Sequence, residues 1–507
     1  MEALGETAAR AQAERTRKSE AAVFKSKELP ALPCIGHISQ LNRVAAAKPA
    51  TATQRSRRPI FYKPSMETPP SNRAQNQAQI FLKLLAELRP HWRSDVALPE
   101  RIQRLLASDR RFGSRDRRLY RELIYTTLRY LPLIEPLLDK EQEAEQAATR
   151  APAEAATSAQ AAISANAEAA KRVAELASDT PEIAAFREGL LGNANAKPAE
   201  SPFKNPDTLY PDWFWNECPT AYAPEECAAL HRRAPLWLRL QGNTEGELAH
   251  ALHDTETEFA ERGWTLEQSE ILANALRAPT DADVTNTESF RRGLFEIQDL
   301  GSQLVLGSQR IPVGGHWFDA CAGAGGKTLQ LAQILGPHGK VTAYDVRPEA
   351  LAELRERATR ARITNIEIIN TLPPEGTYFD GVLVDAPCSG TGTWRRAPHL
   401  KWVTTRERVR DYAKQQLELM KQFSNYVRPG TGAPKEKRTG KMTNEEFAKL
   451  GGRLAYATCS LCRSENEMLL AVFQAERDDF LVQWAMHTIM PAKYDTDGFF
   501  VSVSLRL

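Results

Sequence analysis

The stretch Asp380-Gly-Val-Leu-Val-Asp-Ala-Pro-Cys-Ser-Gly-Thr-Gly-Thr-Trp-Arg-Arg-Ala-Pro-His-Leu-Lys-Trp402 constrains the fold of this chain more than any other. Val382 to Val384 is a short apolar run of the kind that forms a strand buried on both faces. The run stops at Asp385-Ala386-Pro387, because proline cannot donate to a sheet ladder. Cys388 follows, then a turn of Ser, Gly and Thr. An acid and a thiol three residues apart at the carboxyl end of a strand sit where ligands bind in open α/β sheets. A second segment, Gly452-Arg-Leu-Ala-Tyr-Ala-Thr-Cys-Ser460, repeats the arrangement and puts Cys459 at its own strand end. Buried structural cysteines are common, but two in matched positions predict that neighbouring strands bring Cys388, Asp385 and Cys459 to one crevice.

A third segment adds a ligand cradle. His316-Trp-Phe-Asp-Ala-Cys-Ala-Gly-Ala-Gly-Gly-Lys-Thr328 reads as a strand and a glycine-rich turn opening a helix over 329–335. Glycines let the backbone approach a ligand at a helix N-terminus. The segment is not a phosphate-binding P-loop, since Cys321 stands where that pattern needs glycine. The next strand, Lys340 to Tyr344, ends at Asp345, which is placed to hold both ribose hydroxyls of a nucleoside. Strand, turn, helix, strand and acid serve dinucleotides and S-adenosylmethionine alike. Taken alone, they leave an oxidoreductase and a methyltransferase both open.

Asp385-Ala-Pro-Cys-Ser-Gly-Thr-Gly392 and Tyr456-Ala-Thr-Cys-Ser460 resemble the two signature motifs of the RNA (cytosine-5)-methyltransferases. The similarity runs from about residue 72 to the end, outside two inserts, and is greatest to the group that modifies bacterial 16S ribosomal RNA. The resemblance implies an α/β fold: a class I, seven-stranded Rossmann-like domain preceded by an all-α NusB-like domain and a small α+β subdomain. It implies S-adenosyl-L-methionine as cofactor and RNA, ribosomal RNA first, as partner. By resemblance Cys459 is the nucleophile, Cys388 assists product release and Asp385 binds cytosine N3. Cys321, Ala322, Gly323, Ala324, Gly325, Gly326, Lys327, Asp345, Asn370 and Asp385 would surround the methyl donor. Asn370 stands near a position where relatives carry an acid toward the adenine. Arg395, Arg396 and Lys401 would meet RNA phosphates, and Trp394 or Trp402 would stack on a base or pack. Ala397 and His399 depart from the family's pattern in that loop.

The rest of the chain is read in order. The first 65 residues are polar and basic, with neither periodicity nor the apolar core of a secretory signal, so residues 1–71 read as a disordered or mis-assigned extension with Met66 a candidate start. Helical spacing over 77–88, around 102–106 and over 116–131 predicts an all-helical module over 72–139, which by its resemblance to the NusB-like domain is expected to bind RNA. Residues 101–129 hold nine arginines against three acids, which points Arg117, Arg118 and Arg121 at phosphates. Residues 140–205, rich in Ala and Glu, read as an insert or linker with little to bury. Strand patterns at Leu236–Leu240 and Gly293–Ile297 bracket a small α+β subdomain over 206–300, opening into Gln298-Asp-Leu-Gly-Ser-Gln303. Residues 301–507 form the methyltransferase domain, with strands at Ile366 and from Phe379, Arg453, Phe480 and Phe499 and an insert over 431–450.

Composition sets bounds only. The 66 Lys plus Arg nearly cancel 64 Asp plus Glu, so only local charge bears on nucleic acid. Seven scattered cysteines are no disulfide framework, and Cys459-x-x-Cys462 lacks a partner pair, so no metal is expected. No apolar run approaches the ~20 residues that span a bilayer; a cytoplasmic monomer without membrane contact is expected. The alternatives are the same reaction on transfer RNA or another ribosomal position, a non-catalytic RNA-binding assembly factor, and a dinucleotide-dependent oxidoreductase.

Overall fold

The computed structural model describes residues 71–150, 168–431 and 450–507. The expectations for residues 1–70, including Met66, and for the bulk of the 431–450 insert lie outside the described residues. Among those described, no helix is long and apolar enough to cross a membrane.

A four-stranded antiparallel sheet joins β1 (Leu236–Leu240), β2 (Glu267–Gln268), β3 (Ala275–Ala278) and β4 (Phe295–Ile297) in the order β2-β3-β1-β4. A seven-stranded sheet follows. Its strands are β5 (His316–Asp319), β6 (Lys340–Tyr344), β7 (Ile366–Ile369), β8 (Gly381–Asp385), β9 (Arg453–Thr458), β10 (Phe480–Ile489) and β11 (Phe499–Arg506), ordered β10-β11-β9-β8-β5-β6-β7. β9, β8, β5, β6 and β7 are parallel, and β11 enters antiparallel between β9 and β10. This is the class I Rossmann-like architecture expected.

Alternation along each strand divides the core. Val382, Val384, Leu454 and Tyr456 face the helices Arg406–Ser424 and Glu467–Glu476 through Met420, Phe423 and Phe473. Leu383, Ala455 and Ala457 face the other way, toward Leu304, Leu331 and Leu335. Each Leu or Phe so buried contributes roughly 1.5–3 kcal/mol. The order of strands also fixes the site. β5, β8 and β9 are adjacent and parallel, so Asp319, Asp385 and the residues after Thr458 emerge at the same sheet edge.

The front of the chain is helical: Asn72–Leu88, Leu98–Ser108, Ser114–Arg129, Leu131–Arg150, residues 168–176 and Pro181–Leu191. Ser71 and Thr180 cap two of these by accepting the amides of Ala74 and Ile183, both at 3.2 Å. The expectation of an insert over 140–205 is corrected for the described residues 168–191, while residues 151–167 lie outside the described residues. Ala169, Val173, Ile183, Phe186 and Leu190 are buried in the same core as Phe81, Leu123 and Ile134. Arg187 is fully buried and donates to the carbonyls of Ala174 and Ala177 and to Asp179. The Ala-rich composition reads as unable to bury much, yet alanines suit helices that approach closely.

The helical domain and the catalytic domain share a core. Trp394, from the loop after β8, packs its ring 4.5 Å from Phe214 and 6.2 Å from Tyr210. Trp402 donates its indole N–H to the carbonyl of Leu128 at 2.6 Å. Both tryptophans are thus structural, and the stacking alternative falls. Lys401 is corrected with them. It is buried, its Nζ donates to the Arg129 carbonyl at 2.7 Å, and it lies 2.8 Å from His231 Nε2. His231 Nδ1 lies 2.7 Å from the Cys227 carbonyl, which leaves Nε2 as the acceptor for Lys401. Burial depresses the Lys401 ammonium to about 7. A lysine so enclosed braces two domains and reaches no phosphate. Lys401→Ala is therefore expected to lower stability by about 1–3 kcal/mol, the cost of leaving buried partners unpaired, in denaturant melts. The salt dependence of RNA binding should stay unchanged.

Candidate active site

Three loops converge at the carboxyl edge of the large sheet. The first follows β8 and carries Cys388, the second follows β9 and carries Cys459, and the third runs from Asp495 to Gly498 before β11. The Sγ atoms of Cys388 and Cys459 lie 3.3 Å apart. Both side chains are half-buried, so each remains reachable from solvent. The geometry demands glycine at 392. Its amide donates to the Cys459 carbonyl at 3.0 Å and its carbonyl accepts from Gly498 at 2.8 Å. A Cβ there would sit 2.0 Å from the Gly498 carbonyl oxygen.

Glu465, buried beneath the loops, ties two of them together. It accepts the Ser389 amide at 2.8 Å and Gln416 Nε2 at 2.9 Å, and both the Ser389 and Ser460 hydroxyls point at it. Burial raises the pKa of this carboxyl, and those hydrogen bonds oppose the rise. Asn466 completes the second turn by accepting from Thr458 Oγ1 at 2.8 Å and donating to the Ser460 carbonyl at 2.9 Å. Sequence reasoning missed both residues. They sit in the polar run Arg463-Ser-Glu-Asn-Glu467 shortly after Cys459, where nothing in the sequence separates them from solvent-facing neighbours.

The charges around the two thiols differ. Asp385 accepts a hydrogen bond from Lys327 Nζ at 2.8 Å, and Lys327 also lies over the Phe499 ring at 5.3 Å. The Cys459 thiol is held below its ordinary pKa, first by the hydrogen bond from Cys388 and then by Lys327 and Arg396, against burial and the Asp385 carboxylate. The same hydrogen bond, then burial and the charges of Cys459 and Glu465, push the Cys388 thiol well up. Ionisation is therefore favoured at Cys459 over Cys388, the polarity a nucleophile and its neighbour need.

The glycine turn is the second half of the site. Gly323 and Gly325 take φ of +51° and +88°, which L side chains rarely adopt. The turn is anchored by Ala322 N–H to the Tyr344 carbonyl and Gly323 N–H to Asp345 Oδ2, at 2.9 and 2.8 Å. Arg357 holds the Ala324 carbonyl at 2.8 Å. A Cβ on Gly326, the first residue of the helix Gly326–Leu335, would meet nothing within 4 Å, so the helix N-terminus opens on free space. Burial acts to raise the Asp345 carboxyl, but hydrogen bonds from Arg347 and the Gly323 amide outweigh it and hold the group below its usual value. Arg347 was not anticipated from the sequence. Cys321 borders the turn, and Asn370 follows β7 as an exposed residue on the same edge of the sheet.

Of the residues expected at RNA phosphates, Arg395 is corrected. It is 1 % exposed and donates to Thr496 O at 2.8 Å and Asp495 Oδ1 at 2.7 Å, binding the first loop to the third. Arg396 stays exposed and pairs with buried Asp497 at 3.0 Å. The premise that the front arginines lack acidic partners is also corrected. Arg118 pairs with Glu182 at 2.7 Å and Arg129 with Glu122 at 3.2 Å. Arg117 donates to the Leu106 carbonyl at 3.2 Å, whereas Arg121 is exposed.

Comparison with known proteins agrees with this geometry. Residues 311–505 match the family described as 16S rRNA methyltransferase RsmB/F. A ribosomal RNA small subunit methyltransferase B from Proteus mirabilis is 26% identical over 423 residues, covering 77% of this chain and 90% of that protein. A probable ribosomal RNA small subunit methyltransferase B from Bacillus subtilis is 26% identical over 352 residues, covering 63% of this chain and 73% of that protein. The solved structure of PH0851 superposes with a TM-score of 0.58 at 19% identity, covering 85% of this chain and 98% of that one, and so shares the fold.

The electrostatics give a pH dependence. Alkylation of Cys459 by iodoacetamide, followed by peptide mass spectrometry, should show a midpoint below the ~8.5 of an ordinary thiol. Reactivity should be lost as pH falls and the thiolate protonates. Lys327→Met should move the midpoint upward. A midpoint at or above the ordinary value in the unmodified protein would contradict the charge assignment.

Proposed function

Because its C-terminal domain belongs to the RsmB/F methyltransferase family, we propose that this chain methylates carbon 5 of a cytosine in ribosomal RNA through a covalent cysteine adduct. The observation that carries the reading is the pair of thiols 3.3 Å apart beside the Lys327–Asp385 ion pair. The methyl donor of the family is S-adenosylmethionine. When bound, it supplies an electrophilic methyl on a positive sulfonium.

The residues present fit that donor. The open helix N-terminus at Gly326 and the positive-φ turn let the donor lie against backbone, and Asp345 stands where ribose hydroxyls would be held. Cys321 to Lys327 would border it, with Asp385 between donor and base and Asn370 toward the adenine.

Carbon 5 of cytosine is a weak nucleophile while the ring is aromatic. Addition of the Cys459 thiolate to carbon 6 breaks the aromaticity and builds electron density on carbon 5 and N3. The Lys327–Asp385 pair is placed to receive N3, sharing a proton with it as its basicity rises. After methyl transfer the carbon 5 proton must leave and the C6–S bond must break, returning the electron pair to Cys459. Cys388 touches that sulfur and is the residue that assists this release. The base has to be unstacked to reach the thiols, since they lie within a loop-lined crevice.

The dinucleotide-dependent oxidoreductase reading is disfavoured because residues 311–505 match a methyltransferase family. A non-catalytic factor has no need of a depressed Cys459 pKa. Ribosomal RNA is preferred to transfer RNA because the curated relatives carry that substrate in their names.

Cys459→Ala is expected to abolish methylation of ribosomal RNA, scored by bisulfite sequencing, while S-adenosylmethionine binding by calorimetry persists. Cys388→Ala should instead form the adduct and fail to release it, leaving a protein–RNA complex that survives denaturing electrophoresis. The double variant should leave none. Free turnover by Cys388→Ala would make Cys388 structural, and an adduct through Cys388 in Cys459→Ala would reverse the roles.

Asp345→Ala should weaken donor binding by about 1.5–3 kcal/mol, the worth of a hydrogen bond to a charged group. Unchanged affinity by calorimetry would contradict the assignment.

A further inference from the structure

A groove of about 270 Å³ lies where the helical domain, the β1-to-β4 subdomain and the catalytic domain meet. Its walls hold six arginines against three carboxylates, Glu122, Glu182 and Asp281. Counting Asp495 and Asp497, which pair with Arg395 and Arg396, six positive charges face five negative ones. Depth decides what a ligand meets. Glu122 is 7 % exposed and Asp497 is fully buried, whereas Arg121 stands exposed and the Arg396 side chain is 52 % exposed. Glu122 and Asp497 therefore lie behind the guanidinium groups they hold, while Asp281 and Asp495 are part-exposed beside Arg233 and Arg395. Arg233 shows the pattern: it lies 2.6 Å from Asp281 and 3.6 Å from Glu122, spanning two domains. Arg395 also lines the groove, with its buried Nε lacking a hydrogen-bond partner among the described residues.

The groove borders the active-site loops: Arg395 and Arg396 on its wall belong to the loop that carries Cys388 and pair with Asp495 and Asp497 of the third loop. Arg396 lies on its wall, and its charge also lowers the pKa of Cys459. Tyr125 adds a half-buried aromatic ring on the opposite, helical wall. Guanidinium groups at hydrogen-bonding depth with an interleaved aromatic are what single-stranded nucleic acid requires. The volume is below the roughly 300–1,000 Å³ of pockets that take a drug-sized molecule. A space of that size takes roughly one nucleotide, so neighbouring phosphates of a strand would lie along its open rim, where Arg121 and Arg396 are exposed.

We propose that this three-domain groove is the channel for the single RNA strand flanking the target cytosine, with Arg121, Arg233 and Arg396 on successive phosphates and Tyr125 against a base. The inference rests on the RNA-methyltransferase reading and adds to it the path of the substrate. It explains why the helical and catalytic domains share a core: a channel built from three domains guides a strand to the thiols only if the walls keep their spacing. It also reassigns the arginine-rich helix Ser114–Arg129, whose working residue becomes Arg121 on the groove wall.

The test uses the full chain with a 16S ribosomal RNA transcript and a short single-stranded RNA. Binding is followed by fluorescence anisotropy over a series of salt concentrations. Arg121→Glu and Arg233→Gln should each weaken binding several-fold and each reduce the log–log salt slope by about 0.7. Donor affinity should stay constant, which reports an intact catalytic domain. If Arg233→Gln disturbs the domain junction and loses its cooperative melt, the exposed Arg121→Glu decides. Photo-crosslinking of 4-thiouridine placed beside the target cytosine should label Tyr125. Unchanged affinity and slope in Arg121→Glu, or crosslinks only outside the groove, would overturn the proposal. So would tripolyphosphate binding in the groove without competing with RNA, since the occupant would then be a free anion. Methylation by the unmodified enzyme is measured in parallel. Turnover with an unchanged slope defeats the groove alone, whereas groove binding without turnover defeats the catalytic reading alone.

Discussion

The buried Glu465 carboxylate is the contact on which the catalytic arrangement depends. Two strand-end loops carrying a thiol each have no intrinsic reason to stay within 3.3 Å of one another. Glu465 reaches Ser389 and Ser460, the residues next to the two cysteines, and Gln416 from the helix Arg406–Ser424. Burying a carboxylate is costly unless its lone pairs are satisfied, and here every donor comes from an element that must be positioned. The same interactions that satisfy Glu465 therefore align the thiols. Gly392 permits the third loop to close over them, because only a residue without Cβ fits beneath the Gly498 carbonyl.

The second structural theme is cations used as internal struts. Arg187, Arg395 and Lys401 are buried, and their donors go chiefly to backbone carbonyls. A guanidinium offers five donors in a fixed plane and can satisfy several carbonyls left over where loops meet. Arg187 does this inside the helical domain and Arg395 between the first and third site loops, while the Lys401 ammonium joins the helical domain to the first loop. In the same loop Arg396, adjacent to Arg395, turns outward to Asp497 and solvent. Neighbouring residues of identical chemistry thus do opposite work.

That pairing marks the limit of what the sequence makes legible. The strand-end placement of Asp385, Cys388 and Cys459 follows from apolar runs stopped by proline or by small polar residues, and the parallel order of β5, β8 and β9 brings them together. The glycine turn is equally legible, because positive φ leaves a compositional trace at Gly323 and Gly325. The side on which a cation falls leaves no such trace. Arg395 and Lys401 read as phosphate ligands from charge alone, and only three-dimensional packing shows that carbonyls of Thr496 and Arg129 claim them first. The Ala-rich segment misleads for a related reason. Residues 168–191 bury Val173, Ile183 and Phe186, spaced too thinly to outweigh the surrounding alanines in a one-dimensional reading.

The asymmetry between the thiols comes first from the hydrogen bond they share and then from the charges around them, since the two cysteines are alike in exposure and sheet position. Cys459 lies within the field of Lys327 and Arg396, whereas Cys388 lies toward the carboxylate of Glu465. The carboxylate that clamps the loops thus also disfavours ionisation at one of the two sulfurs. Asp385 would oppose ionisation at Cys459, but Lys327 is bound directly to it and offsets its charge. The same contacts therefore fix the geometry of the pair and favour ionisation at Cys459 over Cys388.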